Sequence, residues 1–344
     1  MTPSSPTQSV TTKTKRARKK FASVQNHATL SLGDIVRISF QRTLRVSEEH
    51  SNYLPPGLGS FPLRSVSDVK ATDSMQERGG VVLPIYQREA MWMSFDSTEP
   101  IALQIATGLV CAVTGKPLQD GLNANEQNYV VLPDQPWLDG FKTADGEVRQ
   151  FVAARLGDGA TVEEQLTDRP AVGGIQIRAY RLTAAARKKW KAKQNRQRRH
   201  FSNDFELLTV SYCMSASVSD MGIGAGGRIT QEIYEDEFEF ADWETEPMCQ
   251  VWVHLVGARQ WTELTGEAAP RTPVTVEEYN DAGLPWFDYY DDDKNDLPSS
   301  PELAGVKTVG QVLGYEEESE GAGVSFVWPL GDERPGKPVP TGTW

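Results

Sequence analysis

The stretch from Val36 to Val46 constrains the fold more than any other part of the chain. Val36, Ile38, Phe40, Leu44 and Val46 alternate with Arg37, Ser39, Gln41, Thr43 and Arg45, and only Arg42 breaks the phase. Period two over eleven residues places the apolar side chains on one face of an extended backbone, which is a strand with one dry side. Further β-branched or aromatic runs, near Gly, Pro, Asp or Asn, lie at 80–86, 101–113, 128–132, 148–155, 174–182, 205–218, 228–240, 249–256 and 324–328. In the run from Arg228 to Phe240, Tyr234, Phe238 and Phe240 fall opposite Glu235, Glu237 and Glu239, as in a strand with a wet, acidic face. Many short strands separated by turn signals define a mainly β fold, an antiparallel sandwich or barrel-like core with a few short peripheral helices.

The helices have local signatures. Thr161-Val162-Glu163-Glu164 and Thr275-Val276-Glu277-Glu278 both fit a capping box, and Arg259 to Leu264 reads as a short helix stopped by Gly266. Ala184 to Ala192 has high helix propensity, with Thr183 as a candidate N-cap and Leu182, Ala186 and Trp190 on one face. No large apolar residue follows until Phe201, so 183–204 reads as a basic excursion that projects into solvent. The folded domain is expected over 30–330, preceded by a disordered basic arm at 1–29 and followed by a Pro/Gly-rich tail at 331–344.

Charge is distributed unevenly along this frame. Residues 1–33 hold six positives and no acid, and Arg187 to Arg199 hold eight more. Removing those fourteen positives from a net charge of −12 leaves −26 on everything else. An acidic body therefore carries two cationic appendages, which bears on partner choice rather than on fold. Arg187, Lys188, Lys189, Lys191 and Arg196 are the candidate partner-binding residues. A protein partner or a second copy of the chain is the favoured occupant. Nucleic acid is the alternative, with Trp190 as a stacking residue.

The three cysteines are odd in number and far apart, and Cys213 and Cys249 lie in apolar stretches. Reduced thiols and a reducing, cytoplasmic location follow as expectations. No apolar run reaches the length a membrane helix needs, and no apolar segment follows the positives at Lys13 to Lys20.

Several segments are familiar as a set: Pro55-Pro56-Gly57-Leu58-Gly59, Tyr86 to Trp92, Pro133 to Gly140, Gly226-Gly227-Arg228 leading to Ile233-Tyr234, and Leu284 to Asp293. Together they resemble a group of uncharacterised bacterial proteins, over roughly 54–307. The resemblance implies no activity, cofactor or catalytic residue.

Motifs for chemistry are sparse. Gly222, Gly224 and Gly227 match the spacing of a dinucleotide fingerprint, but an alternating run rather than a helix follows, so a hairpin or bulge explains the glycines better. The four histidines, His27, His50, His200 and His254, have no metal-ligand spacing, and no nucleophile elbow occurs. Acids beside tryptophans could form a sugar site, and Asp134, Trp137, Asp139, Trp286 and Asp288 are the candidate ligand-binding residues. Calcium is the one cofactor the sequence suggests. Asp291, Asp293, Asn295 and Glu302 take positions one, three, five and twelve of a calcium loop, although Asp296 stands where the sharp turn wants Gly. The leading reading is a non-catalytic binding or assembly protein, and the runner-up is a carbohydrate-active enzyme or lectin.

Overall fold

A computed structural model of the chain describes residues 22–48, 50–144, 146–197, 221–271, 279, 286–288, 294–314 and 327–329, with 195–197, 286–288 and 327–329 described for their backbone alone. In chain order the strands are β1 (Ala22–Gln25), β2 (Thr29–Leu32), β3 (Val36–Thr43), β4 (Ser51–Asn52), β5 (Arg64–Ser65) and β6 (Val81–Pro84). Then come β7 (Ala90–Ser97), β8 (Ile101–Thr107), β9 (Val110–Cys111), β10 (Val130–Leu132), β11 (Trp137–Leu138) and β12 (Gly140–Ala144). The last are β13 (Glu147–Arg155), β14 (Ile175–Arg181), β15 (Met221–Thr230), β16 (Cys249–Val256), β17 (Trp286–Asp288) and β18 (Val327–Pro329).

All of these strands but β17 and β18, which pair in parallel with each other, form two large sheets. One runs β1-β2-β3-β7-β13-β15-β4, with β11 beside β7 and β12 beside β13; the other runs β10-β8-β14-β16-β6-β5, with β9 beside β8. Most pairs are antiparallel, whereas β15–β4 and β16–β6 are parallel. The sheets stay separate and share one apolar core. Ile38, Phe40, Met91, Met93, Phe151 and Ile223 from the first sheet pack in it with Leu103, Ile105, Ile175, Ile177, Val253 and Leu255 from the second. Alternating residues of facing strands thus supply the two inner faces of a sandwich.

Residues 22–29, which composition assigns to the basic arm, are part of this sheet. Both turns of the β1-β2-β3 meander pass through two consecutive left-handed residues, Asn26-His27 and Gly33-Asp34, with φ between 48° and 60°. Each is closed by an N–H···O=C bond, Ala28 to Gln25 at 3.1 Å and Ile35 to Leu32 at 3.2 Å. Two left-handed centres make primed turns, whose twist matches that of the strands they join. Leu30 and Leu32 are fully buried as a result.

Arg42 shares the inward face with Val36, Ile38 and Phe40, and is itself buried. Its guanidinium pairs with the buried Glu89 and lies 5.4 Å from the Phe61 ring centroid. Burial pushes the Glu89 carboxyl up, and Arg42 opposes that shift. The alternation continues beyond Thr43, but there a side chain replaces the neighbouring strand. Gln150 Nε2 donates to the Leu44 carbonyl at 2.7 Å, and Gln150 Oε1 accepts from the Val46 N–H at 3.0 Å.

The glycine-rich run lies inside β15, where the spacing suggested a turn or bulge, and both the strand and a bulge are present. Register shifts between Arg149 and Phe151 opposite Ala225 to Arg228. A Cβ at Gly224 would lie 2.4 Å from the Ala160 carbonyl oxygen and 2.5 Å from Val309. At Gly227 it would lie 2.3 Å from the carbonyl oxygens of both Val46 and Ser47. The glycines let other backbone approach the sheet, the use glycine has wherever a Cβ cannot fit. The expected strand over 228–240 accordingly ends at Thr230, and 231–240 is irregular apart from one bridge at Tyr234 and the 3₁₀ turn at Phe240.

Among the helices, α1 (Asp73–Arg78) and α2 (Val162–Leu166) come first, and α2 has the expected capping box between Thr161 and Glu164. They are followed by α3 (Ala184–Gln197), α4 (Ala258–Thr265), α5 (Pro301–Ala304) and α6 (Val309–Leu313). Gly266 ends α4 in the left-handed conformation, as expected. The expected strand at 205–218 and capping box at 275–278 lie outside the described residues.

Candidate functional site

The Trp- and Asp-bearing segments at 133–139 meet 231–237 and 294–297 at one end of the sandwich. Side-chain amides join them. Gln135 donates to the Trp137 and Glu232 carbonyls, both at 3.1 Å, and accepts from the Tyr234 N–H at 3.1 Å. Gln127 likewise donates to the Tyr234 carbonyl at 3.0 Å and accepts from the Asp236 N–H at 2.8 Å. Asp296 accepts from the Ile233 N–H at 2.8 Å and pairs with Lys142, which is almost wholly buried. Irregular backbone is thereby satisfied without a ladder, as buried peptide groups require.

Asp139 faces Trp137 and Gln231 rather than open space. The Asp139 carboxyl is buried, and the Trp137 side chain and Gln231 Nε2, the latter at 3.0 Å, hydrogen-bond to it. Gln231 Oε1 accepts the Asp139 N–H at 2.9 Å. Burial raises the Asp139 pKa to about 7, although both hydrogen bonds pull it down. The adjoining cleft, lined by Leu54, Gln135, Trp137, Gln231 and Tyr234, is small, about 210 Å³ with its solvent-open space included. Asp134 sits at the rim, where its carboxylate and that of Glu237 hold Lys294 Nζ at 3.0 and 2.9 Å. The side chains of Trp286 and Asp288 lie outside the described residues. Trp137 and Asp139 are therefore brought together in a network with Gln231, whereas Asp134 belongs to a separate ion-pair cluster with Lys294 and Glu237.

Of the calcium set, Asp291 and Asp293 lie outside the described residues. Asn295 bonds Glu235 at 3.3 Å, and Glu302 is 3.8 Å from Lys116. Among the described residues no group of His, Cys, Asp or Glu is placed to hold a metal ion. His254 stacks on Trp252 and makes a 2.9 Å contact with the Gly79 carbonyl. Burial raises the thiol pKa values of Cys111 and Cys249, the latter to about 11, so neither is a thiolate at neutral pH.

The basic excursion is an anchored helix. Thr183 Oγ1 accepts the Ala186 N–H at 3.3 Å and caps α3. Leu182 and Ala186 are buried, and Trp190 packs with them against a cluster containing Tyr129, Tyr180, Trp243 and Phe238. The part of α3 up to Lys191 thus lies on the second sheet instead of projecting from it. Sequence spacing identifies that apolar face, but the electrostatic anchor is remote in sequence. Glu99 pairs with Arg181, with Arg187 at 3.5 Å and with Lys191 at 3.4 Å. Partial burial alone would raise the Glu99 pKa, but Arg181 and Lys191 hold it below the ordinary value.

Two of the five candidate cations are therefore engaged within the chain. Lys188 and Lys189, with Lys193, are exposed and form no ion pair among the described residues; the Arg196 side chain is not among those described. Compared with known proteins, the chain matches no family, no curated protein and no solved structure.

Proposed function

We propose that the protein is a non-catalytic binding protein whose helix α3 docks onto an acidic protein surface. The observation that carries this reading is the division of α3 into two sets of cations. Arg187 and Lys191 fix the helix through Glu99, while Lys188, Lys189 and Lys193 stay exposed. A helix held on a folded sheet presents its charge with little ordering cost, which favours specific contact over diffuse attraction. A protein partner is favoured over nucleic acid because Trp190, the one aromatic ring of the helix, is half-buried against an aromatic cluster, which takes up ring surface that a base would need. The sugar-binding alternative has less support, because Trp137 and Asp139 already bond each other.

The test is binding of the full chain to immobilised poly-glutamate. Binding is expected at 50 mM NaCl and lost at 500 mM, where charges are screened within a few ångströms. The K188E/K189E/K193E variant is expected to keep its melting temperature and lose binding at least tenfold. Undiminished binding by that folded variant would refute the proposal.

A further inference from the structure

Helix α3 does not stand alone on its surface. The Thr183 N–H donates to the Asp242 carbonyl at 2.7 Å, and the Glu244 N–H donates to the Arg181 carbonyl at 2.9 Å. The segment 235–246 is thus bonded to the start of the basic helix, and it carries seven acids in twelve residues. Two of these are held locally, Glu237 by Lys294 and Glu235 by Asn295. Asp236 is turned inward, where Tyr129 Oη and Trp243 Nε1 donate to it at 2.8 and 2.7 Å. Glu239, Glu244 and Glu246 are exposed and form no ion pair among the described residues. Between them Phe240 is 46% exposed, one of few large apolar side chains so displayed.

The exposed lysines of α3 therefore stand on the element next to the exposed glutamates of 235–246, with an exposed aromatic ring in the acidic half. Adjacent halves of opposite sign are self-complementary. Rotation by 180° about an axis between them sets each half against its opposite, which is the condition for an isologous contact. We infer that this surface joins two copies of the chain about a two-fold axis, each α3 lying on the 235–246 segment of its partner and Phe240 covered within the contact. The inference rests on α3 being a docking helix and names its partner. An exposed aromatic that becomes covered is a frequent anchor of such contacts.

The net charge of −12 per copy makes a further demand. Two such bodies repel at long range, while lysine and glutamate attract at contact. Association is therefore expected to be strongest near 0.1 M salt, where the screening length is about 10 Å, and weaker both far below and at 0.5 M.

Sedimentation velocity on the full chain tests this. At 0.1 M NaCl and 10–100 µM the wild type is expected to be dimeric, becoming monomeric at 0.5 M. K188E/K189E/K193E and E239K/E244K/E246K are each expected to be monomeric, because like charges then face each other in both halves. Mixed in equal amounts they should form a heterodimer, since one contact is then native and the other is restored with reversed sign. A single chain carrying all six changes should again dimerise, which guards against a misfolded triple variant. Phe240→Ser should weaken dimerisation about tenfold. A mixture that stays monomeric overturns the inference, as does a helix variant that dimerises like the wild type. A wild type that stays monomeric but binds poly-glutamate overturns only the choice of partner. Loss of poly-glutamate binding by folded wild type overturns the docking reading itself.

Discussion

Replacing Asp139 by Asn should change how stability depends on pH, by an amount that follows from its environment. The unfolded carboxyl titrates near 3.8, whereas burial raises the folded one to about 7. Between those values the native state keeps a proton that the unfolded chain has released, so stability falls by about 1.4 kcal/mol per pH unit. From pH 5 to pH 8 this one group removes roughly 2–3 kcal/mol, the slope flattening above pH 7. Asparagine cannot titrate and still offers one oxygen to Gln231 or Trp137. The lost second acceptor adds an offset that does not vary with pH. Urea unfolding of both proteins, followed by tryptophan fluorescence at pH 5, 6, 7 and 8, isolates the effect as a difference of differences. The variant is expected to gain on the wild type by roughly 2–3 kcal/mol across that range. A difference that stays constant with pH would show that Asp139 titrates normally and that the buried network is misread.

Gln150→Ala leaves the Val46 N–H and the Leu44 carbonyl without their partner. Chemical denaturation should show a loss of about 2–4 kcal/mol. Glu99→Ala frees Arg181, Arg187 and Lys191 from their shared acid. Hydrogen exchange across 184–194 should speed up while the sandwich core stays protected. Gly224→Ala forces a Cβ against the Ala160 carbonyl and should cost about 1–3 kcal/mol in thermal unfolding. Excess calcium should leave the melting temperature unchanged, since Asn295 and Glu302 already face Glu235 and Lys116.

The two-sheet fold was legible because strands that bury one face alternate in sequence. Val36–Thr43 follows directly from that rule, whereas Ile101–Thr107, buried along its whole length, and Cys249–Val256 were legible only as apolar runs between turn signals. The central strand Ala90–Ser97 obeys it too, with Met91, Met93 and Phe95 buried, but its leading residues were noted for likeness rather than for periodicity. In 221–230 the rule misled, because glycine reads locally as a break while its cause, the close approach of Ala160 and Val309, is remote. At the candidate site the same limit applies. Trp137 and Asp139 stand two apart and invite a ligand, yet the partner that encloses Asp139 is Gln231, 92 residues away. Glu99, which turns a basic excursion into a fixed helix, lies 88 residues from Arg187. No local pattern encodes either pairing.

Segment 232–240 carries Ile233, Tyr234, Phe238 and Phe240 among its acids, and an open strand with such side chains would offer its edge to a neighbouring chain. Gln127, Gln135 and Asp296 already occupy the peptide groups of 232–236 from within the molecule. Little main-chain valence is left there for a neighbour to read, and whatever meets this surface must recognise it through side chains. Fibril growth, which propagates through the backbone, would first have to evict the chain's own amides.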